Sequence, residues 1–169
     1  MRADQRRRLE LTRLATEITA DVTVLDGVAR LCIEAQPSLA KSTRAITAMV
    51  AVDLHRYYTA LENVLERIER GVGALPPSGP AWHEELLLGA ARELADARPA
   101  ILSPPAVTDL ENLLAFRHFF RHAYTVDFDP ARLRDLVVRL ARVHGAVATD
   151  LRRFVTHLQT IIAGLKGDE

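Results

Sequence analysis

The chain has 169 residues, 49% of them hydrophobic, enough for one well-cored domain and short for two. Its 22 basic and 22 acidic residues cancel to a formal net charge of zero, which excludes a bulk electrostatic pull toward nucleic acid or an anionic membrane and leaves such binding to local patches. A lone cysteine, Cys32, excludes an intrachain disulfide, and no run approaches the ~18 apolar residues of a membrane span, so the expectation is a cytoplasmic protein in a reducing compartment, one domain over residues 1–169.

From Asp4 to Ala35 apolar residues recur at Leu11, Leu14, Ile18, Val22, Leu25, Val28 and Cys32, the period of a long first helix, and Cys32 reads as a small core residue on its stripe. Pro37-Ser38 interrupts it. The pattern resumes through Ile46, Val50, Leu54, Tyr57, Leu61, Leu65 and Ile68, predicting a second long helix that ends at Gly71. A loop with three prolines and three glycines follows over residues 71–80, and then a shorter helix from Trp82 to about Ala97.

Residues 98–105 hold three prolines, and Ser103 before Pro104 is a fitting N-cap for a fourth helix running through Leu110, Leu113, Leu114 and Phe116 to near Tyr124. After a loop at 124–129, Asp129-Pro130 is the clearest start signal in the chain, opening a fifth helix to Gly164. No stretch shows sustained strand alternation. The expected fold is therefore an all-α antiparallel bundle of four to five helices.

Chemistry-bearing residues cluster at helical spacing in one place, Arg117 to Tyr124. At about 100° per residue, Arg117, His118, Arg121, His122 and Tyr124 fall within an arc of roughly 160°, while Phe116, Phe119, Phe120 and Ala123 fill the opposite side. Such a helix buries an aromatic face and offers a cationic, titratable one suited to phosphate, the bland alternative being a solvated charged face. On this reading Arg117 and His122 both sit away from the core, so truncating either should leave stability nearly unchanged.

A metal site through His118 and His122 is possible in spacing but lacks a third ligand; Asp127 and Asp129 follow in the loop, yet Arg117 and Arg121 repel a cation, and no metal or other cofactor is expected. No Gly-rich phosphate loop is present. His55, His83, His144 and His157 read as packing or surface histidines, and Tyr57 to Asn63 as core and interface packing.

Arg117, His122 and Tyr124 together spell Arg-x4-His-x-Tyr, with the polar His118 after the arginine. That resembles the signature of HEPN-superfamily ribonuclease toxins, in particular the HepT-like toxins paired with minimal nucleotidyltransferase antitoxins. Similarity extends to the Tyr58 to Ile68 helix and the Trp82 to Leu87 segment, covering roughly residues 55–155 and leaving the first helix unmatched.

The resemblance implies a helical homodimer whose two motifs meet across the interface, and metal-independent cleavage of RNA, as the toxin of a type II or type VII-like toxin–antitoxin pair. Such cleavage needs a base for the ribose 2′-hydroxyl proton, an acid for the 5′-oxygen and cations for the charge building on phosphorus. A histidine titrates near ~6.5 and suits either proton role, here His122; Arg117 suits bidentate phosphate contact. His118 and Arg121 are auxiliary, for proton transfer or RNA docking. Tyr124 is the expected acceptor of AMP from the nucleotidyltransferase antitoxin. Arg117 and His122 lie about 140° apart around one helix, and a composite site from two chains eases their convergence. The rival readings are a non-catalytic HEPN-type module that binds a nucleotidyltransferase or nucleotide, and a purely structural bundle.

Overall fold

The computed structural model describes residues 3–123 and 127–165. Within them lie five α-helices: α1 (Ala3–Ala35), α2 (Arg44–Val72), α3 (Trp82–Ala90), α4 (Pro104–His122) and α5 (Pro130–Gly164), with a 3-10 helix at Gln36–Lys41 between the first two. There is no strand among the described residues, only an isolated bridge between Leu94 and Arg98. The all-α bundle expected from the sequence is the fold found.

Cross-helix contacts set the directions. Glu17 and Asp21 on α1 both pair with Arg67 on α2, and Arg7 donates to the Gly71 carbonyl at 3.4 Å, so residues early in α1 meet residues late in α2. Asp26 on α1 pairs with Arg152 on α5, Glu62 on α2 with Arg117 on α4, and Asp109 on α4 with Arg142 on α5. Ser103, just before α4, meets Asp150 while Asp109 meets Arg142, and His55 stacks on Phe120 while Glu62 meets Arg117, so α4 runs antiparallel to α5 and to α2. With α1 antiparallel to α2, the four helices run up-down-up-down. Among the described residues the short α3 packs only against α2 and α4.

The core is a continuous aliphatic stripe with two buried tyrosines, Tyr57 and Tyr58. Leu11, Leu14, Ile18, Val22, Leu25, Val28 and Cys32 fill it from α1, and each fully buried Leu or Ile adds about 1.5–3 kcal/mol of transfer free energy. Burial pushes the Cys32 thiol up to about 12, as suits a packing residue. Close approach of α1 and α2 depends on Gly71, where an added Cβ would come 2.5 Å from a Leu14 methyl carbon.

Helix ends follow the sequence signals with two differences. Thr43 caps α2 by accepting from the Ile46 amide, Asp129 caps α5 by accepting from Ala131 at 2.9 Å, and Gly73, at φ 86°, closes α2 in the left-handed region just past the expected stop. Ser103 precedes α4 as expected but does not cap it; its amide and hydroxyl both donate to Asp150 at 2.7 Å, tying the helix start to α5. The third helix ends at Ala90 rather than near Ala97. The buried Arg98 guanidinium donates to the carbonyls of Gly89, Arg92 and Pro99 and to Glu69, folding the chain into a turn where a helix would have continued. No helix of the described residues is long and apolar enough to cross a membrane.

Candidate functional site

The last two turns of α4 meet α2 and α3, and the side chains there divide by depth. Leu110, Leu113 and Leu114 are buried on the inner stripe of α4; Arg117 follows them by seven, four and three residues, so helical geometry carries it onto the same stripe. Arg117 is accordingly only 7% exposed. The expectation of a solvent-facing Arg117 is corrected by this placement: the arc drawn from the octapeptide alone left out the leucines upstream.

Facing Arg117 across the helix junction are Glu62 of α2 and His83 of α3, at 3% and 6% exposure. Glu62 follows Tyr58 by four and precedes Leu65 by three, and His83 precedes Leu86 and Leu87, so both stand on buried faces. The Arg117 Nε lies 2.8 Å from Glu62 Oε2, as a charge contact whose N–H is not aimed at the oxygen. His83 Nδ1 is 2.6 Å from Glu62 Oε1, and Arg117 Nη1 is 3.4 Å from His83 Nε2. Burial pushes the Glu62 carboxyl up to about 7 against the opposing pull of Arg117. Burial, then the Arg117 charge, pushes the His83 imidazole down to about 4. Trp82 packs on the His83 ring at 3.6 Å, and His118 meets it edge-on at 5.2 Å.

His118, Arg121 and His122 are exposed on the last turn of α4. His122 Nδ1 donates to the His118 carbonyl at 2.7 Å, four residues back in the last turn, and this bond leaves Nε2 as the nitrogen able to exchange a proton. Partial desolvation, then the charges of Arg117, His122 and Arg121, lower the His118 pKa. On the other flank His55 of α2 stacks on Phe120 at 4.6 Å, and its pKa too is lowered, first by burial and then by Arg117 and Arg121.

The structure thus brings Arg117, His118, Arg121 and His122 to one end of α4, with Arg117 inside and the other three outside. Tyr124 lies outside the described residues. Among those residues no group of three or more His, Cys, Asp or Glu is placed to hold a metal ion. From the sequence, Glu62 reads as part of a packing stretch and His83 and His55 as packing or surface histidines, and none of the three is assigned there to the site. A signal existed for the first two, since a charged or titratable residue on an apolar stripe must find a partner, but which partner depends on how three helices meet. His144 also has a defined place: its Nδ1 is 3.0 Å from the Tyr57 hydroxyl and its Nε2 2.9 Å from Asp26, a polar link between α1, α2 and α5 far along the bundle.

Comparison with known proteins gives one family. No match was found among curated proteins or among solved structures. A family model described as HepT-like protein matches residues 49–158, from early in α2 to late in α5 and including every residue of the site above. With that much of its length matched, the chain belongs to the HepT-like family.

Proposed function

We propose that the protein is a metal-independent endoribonuclease, the toxin of a toxin–antitoxin pair, with His122 and Arg117 as catalytic residues. The observation that carries the reading is the end of α4: His122 bonded through Nδ1 to the helix so that Nε2 faces out, with Arg121 and His118 beside it and Arg117 behind. A base there takes the ribose 2′-hydroxyl proton; the 2′-oxygen attacks phosphorus, the bond to the 5′-oxygen breaks, and an acid returns a proton to that oxygen. The products are a 2′,3′-cyclic phosphate and a 5′-hydroxyl, and DNA, lacking the nucleophile, is not cut. Arg117 and Arg121 supply positive charge for the transition state.

In this reading two copies form a homodimer in the cytoplasm and the motifs of both contribute to the site. A nucleotidyltransferase antitoxin silences it by adding AMP to Tyr124, whose new phosphodiester, about −1 in charge, competes for the arginines that hold RNA. Incubating the purified protein with single-stranded RNA and matched DNA in EDTA tests the first claim: cleavage of RNA alone with cyclic-phosphate ends is expected, and intact RNA overturns it. Light scattering showing only monomer at micromolar concentration overturns the dimer. An absence of AMP mass on the Tyr124 peptide after incubation with the neighbouring nucleotidyltransferase and ATP overturns the modification.

The second reading is a non-catalytic HEPN-type module that binds a nucleotidyltransferase or nucleotide. The ion pair between Arg117 and Glu62 favours it, because a neutralised buried arginine is what a structural role looks like. RNA left intact alongside stable nucleotidyltransferase binding would select it.

A further inference from the structure

We propose that Glu62 and His83 are positioning residues for Arg117: Glu62 fixes the His83 ring with its proton on Nδ1, and the bare Nε2 accepts an Arg117 N–H, so that the guanidinium presents its remaining edge to an RNA phosphate. The phosphate part rests on the ribonuclease reading; the arrangement itself does not.

Donors and acceptors fix where the protons sit. An ionised carboxylate only accepts and a guanidinium only donates. His83 Nδ1, 2.6 Å from Glu62 Oε1, therefore carries the hydrogen. His83 Nε2, facing Arg117 Nη1 at 3.4 Å, therefore carries the lone pair. With Glu62 ionised, one proton arrangement matches a donor to an acceptor in both hydrogen bonds of His83, and it requires a neutral ring. An imidazolium would set a donor against a donor. The low His83 pKa fits this, burial and Arg117 both disfavouring the charged ring.

Glu62 turns its other oxygen to Arg117 Nε, so two sides of the guanidinium are held from α2 and α3, and Nη2 has no hydrogen-bond partner among the described residues. A side chain with several rotatable bonds is thereby reduced to one orientation, which is how orienting groups assist a charged catalytic residue without touching substrate. Burial raises Glu62 to about 7, with Arg121 opposing and Glu66 adding to the rise, so the arrangement is complete on the alkaline side of neutrality.

Substitutions divide the roles. In Glu62→Gln the amide oxygen can still accept from His83 Nδ1–H, but the charge contact with Arg117 Nε is lost. In His83→Gln the amide can donate to Glu62 and accept from Arg117. His83→Leu can do neither.

The test combines nitrogen-15 NMR of the histidine rings in the full chain at pH 8 with RNA cleavage in EDTA. Expected are an Nδ1–H, neutral His83 in the wild type and a changed ring signal in Glu62→Gln. In cleavage, kcat should fall ~10–100-fold in His83→Leu with KM little changed, and recover in His83→Gln. An Nε2–H ring or an imidazolium in the wild type overturns the proposal whether or not any variant folds. Full kcat in a folded His83→Leu overturns it as well. If the wild type does not cut RNA, the ribonuclease reading fails, and the ring signal alone decides whether Glu62 and His83 position Arg117.

Discussion

Arg117 and His122 are five residues apart on one helix and live in different media. Arg117 is enclosed by α2, α3 and α4 with Glu62 at 2.8 Å; His122 is exposed on the last turn, bonded among the described residues to its own helix. The same residue types, read as one functional face in sequence, are thus a buried anchor and an exposed working end. Charge at the anchor is coupled to folding, whereas charge at the end is coupled to whatever binds there. Truncation at Arg117 should therefore cost stability as well as activity, whereas truncation at His122 should cost activity alone.

Breaking the anchor should give the largest effect. Arg117→Ala or Glu62→Ala leaves a buried charge without its partner, and urea unfolding should show a loss of about 3–5 kcal/mol. This reverses the expectation from sequence that Arg117 could be truncated without loss of stability. The pair Arg117→Met with Glu62→Leu removes both charges and should regain most of the lost stability, since apolar replacement of a whole buried pair is often neutral. If the single substitutions unfold with the wild type, the anchor is not one.

A smaller effect concerns pH. The folded pKa of Glu62, about 7, lies above its ordinary 4.5, so its contribution to stability is fully present below 4.5 and lost as pH rises through 7. The folded pKa of His83, about 4, lies below its ordinary 6.5; its contribution is present above 6.5 and lost as pH falls toward 4. The two slopes oppose each other, and the wild type should be nearly flat between pH 4.5 and 6.5. Arg117, His118 and Arg121 from α4 and Glu66 from α2 face this pair. His83→Leu removes one slope, and thermal melts should then show stability increasing as pH is lowered from 7 to 4.5. A decrease would mean that Glu62 stays ionised throughout.

The smallest effect belongs to the outer arginine. Arg121 is exposed, so Arg121→Ala should leave unfolding within ~0.5 kcal/mol of wild type. RNA affinity should weaken, with the slope of log K against log salt reduced by about 0.7, as for one lost contact to a single strand. An unchanged slope would place the RNA elsewhere.

How much was legible follows from what each feature depends on. Helix existence was readable because it rests on local pattern: the apolar period of α1 and α5, Asp129-Pro130, and Ser103-Pro104. The end of α3 was not, because Arg98 closes the turn by reaching carbonyls and a carboxylate on other segments. At the site, the motif located the right turns of α4, yet eight residues could not reveal that Leu110, Leu113 and Leu114 carry Arg117 inward. Glu62 and His83 were invisible as partners since they lie 55 and 34 positions before Arg117 and meet it only through the packing of α2 and α3.

The most direct measurement of the division along α4 is His122→Ala, assayed twice on the same preparation. The account predicts that RNA cleavage in EDTA falls by ~10²–10⁴-fold, the weight of a general acid or base, while the unfolding midpoint stays at the wild-type value. Cleavage retained at the wild-type rate, or a midpoint that drops as it does for Arg117→Ala, would contradict it.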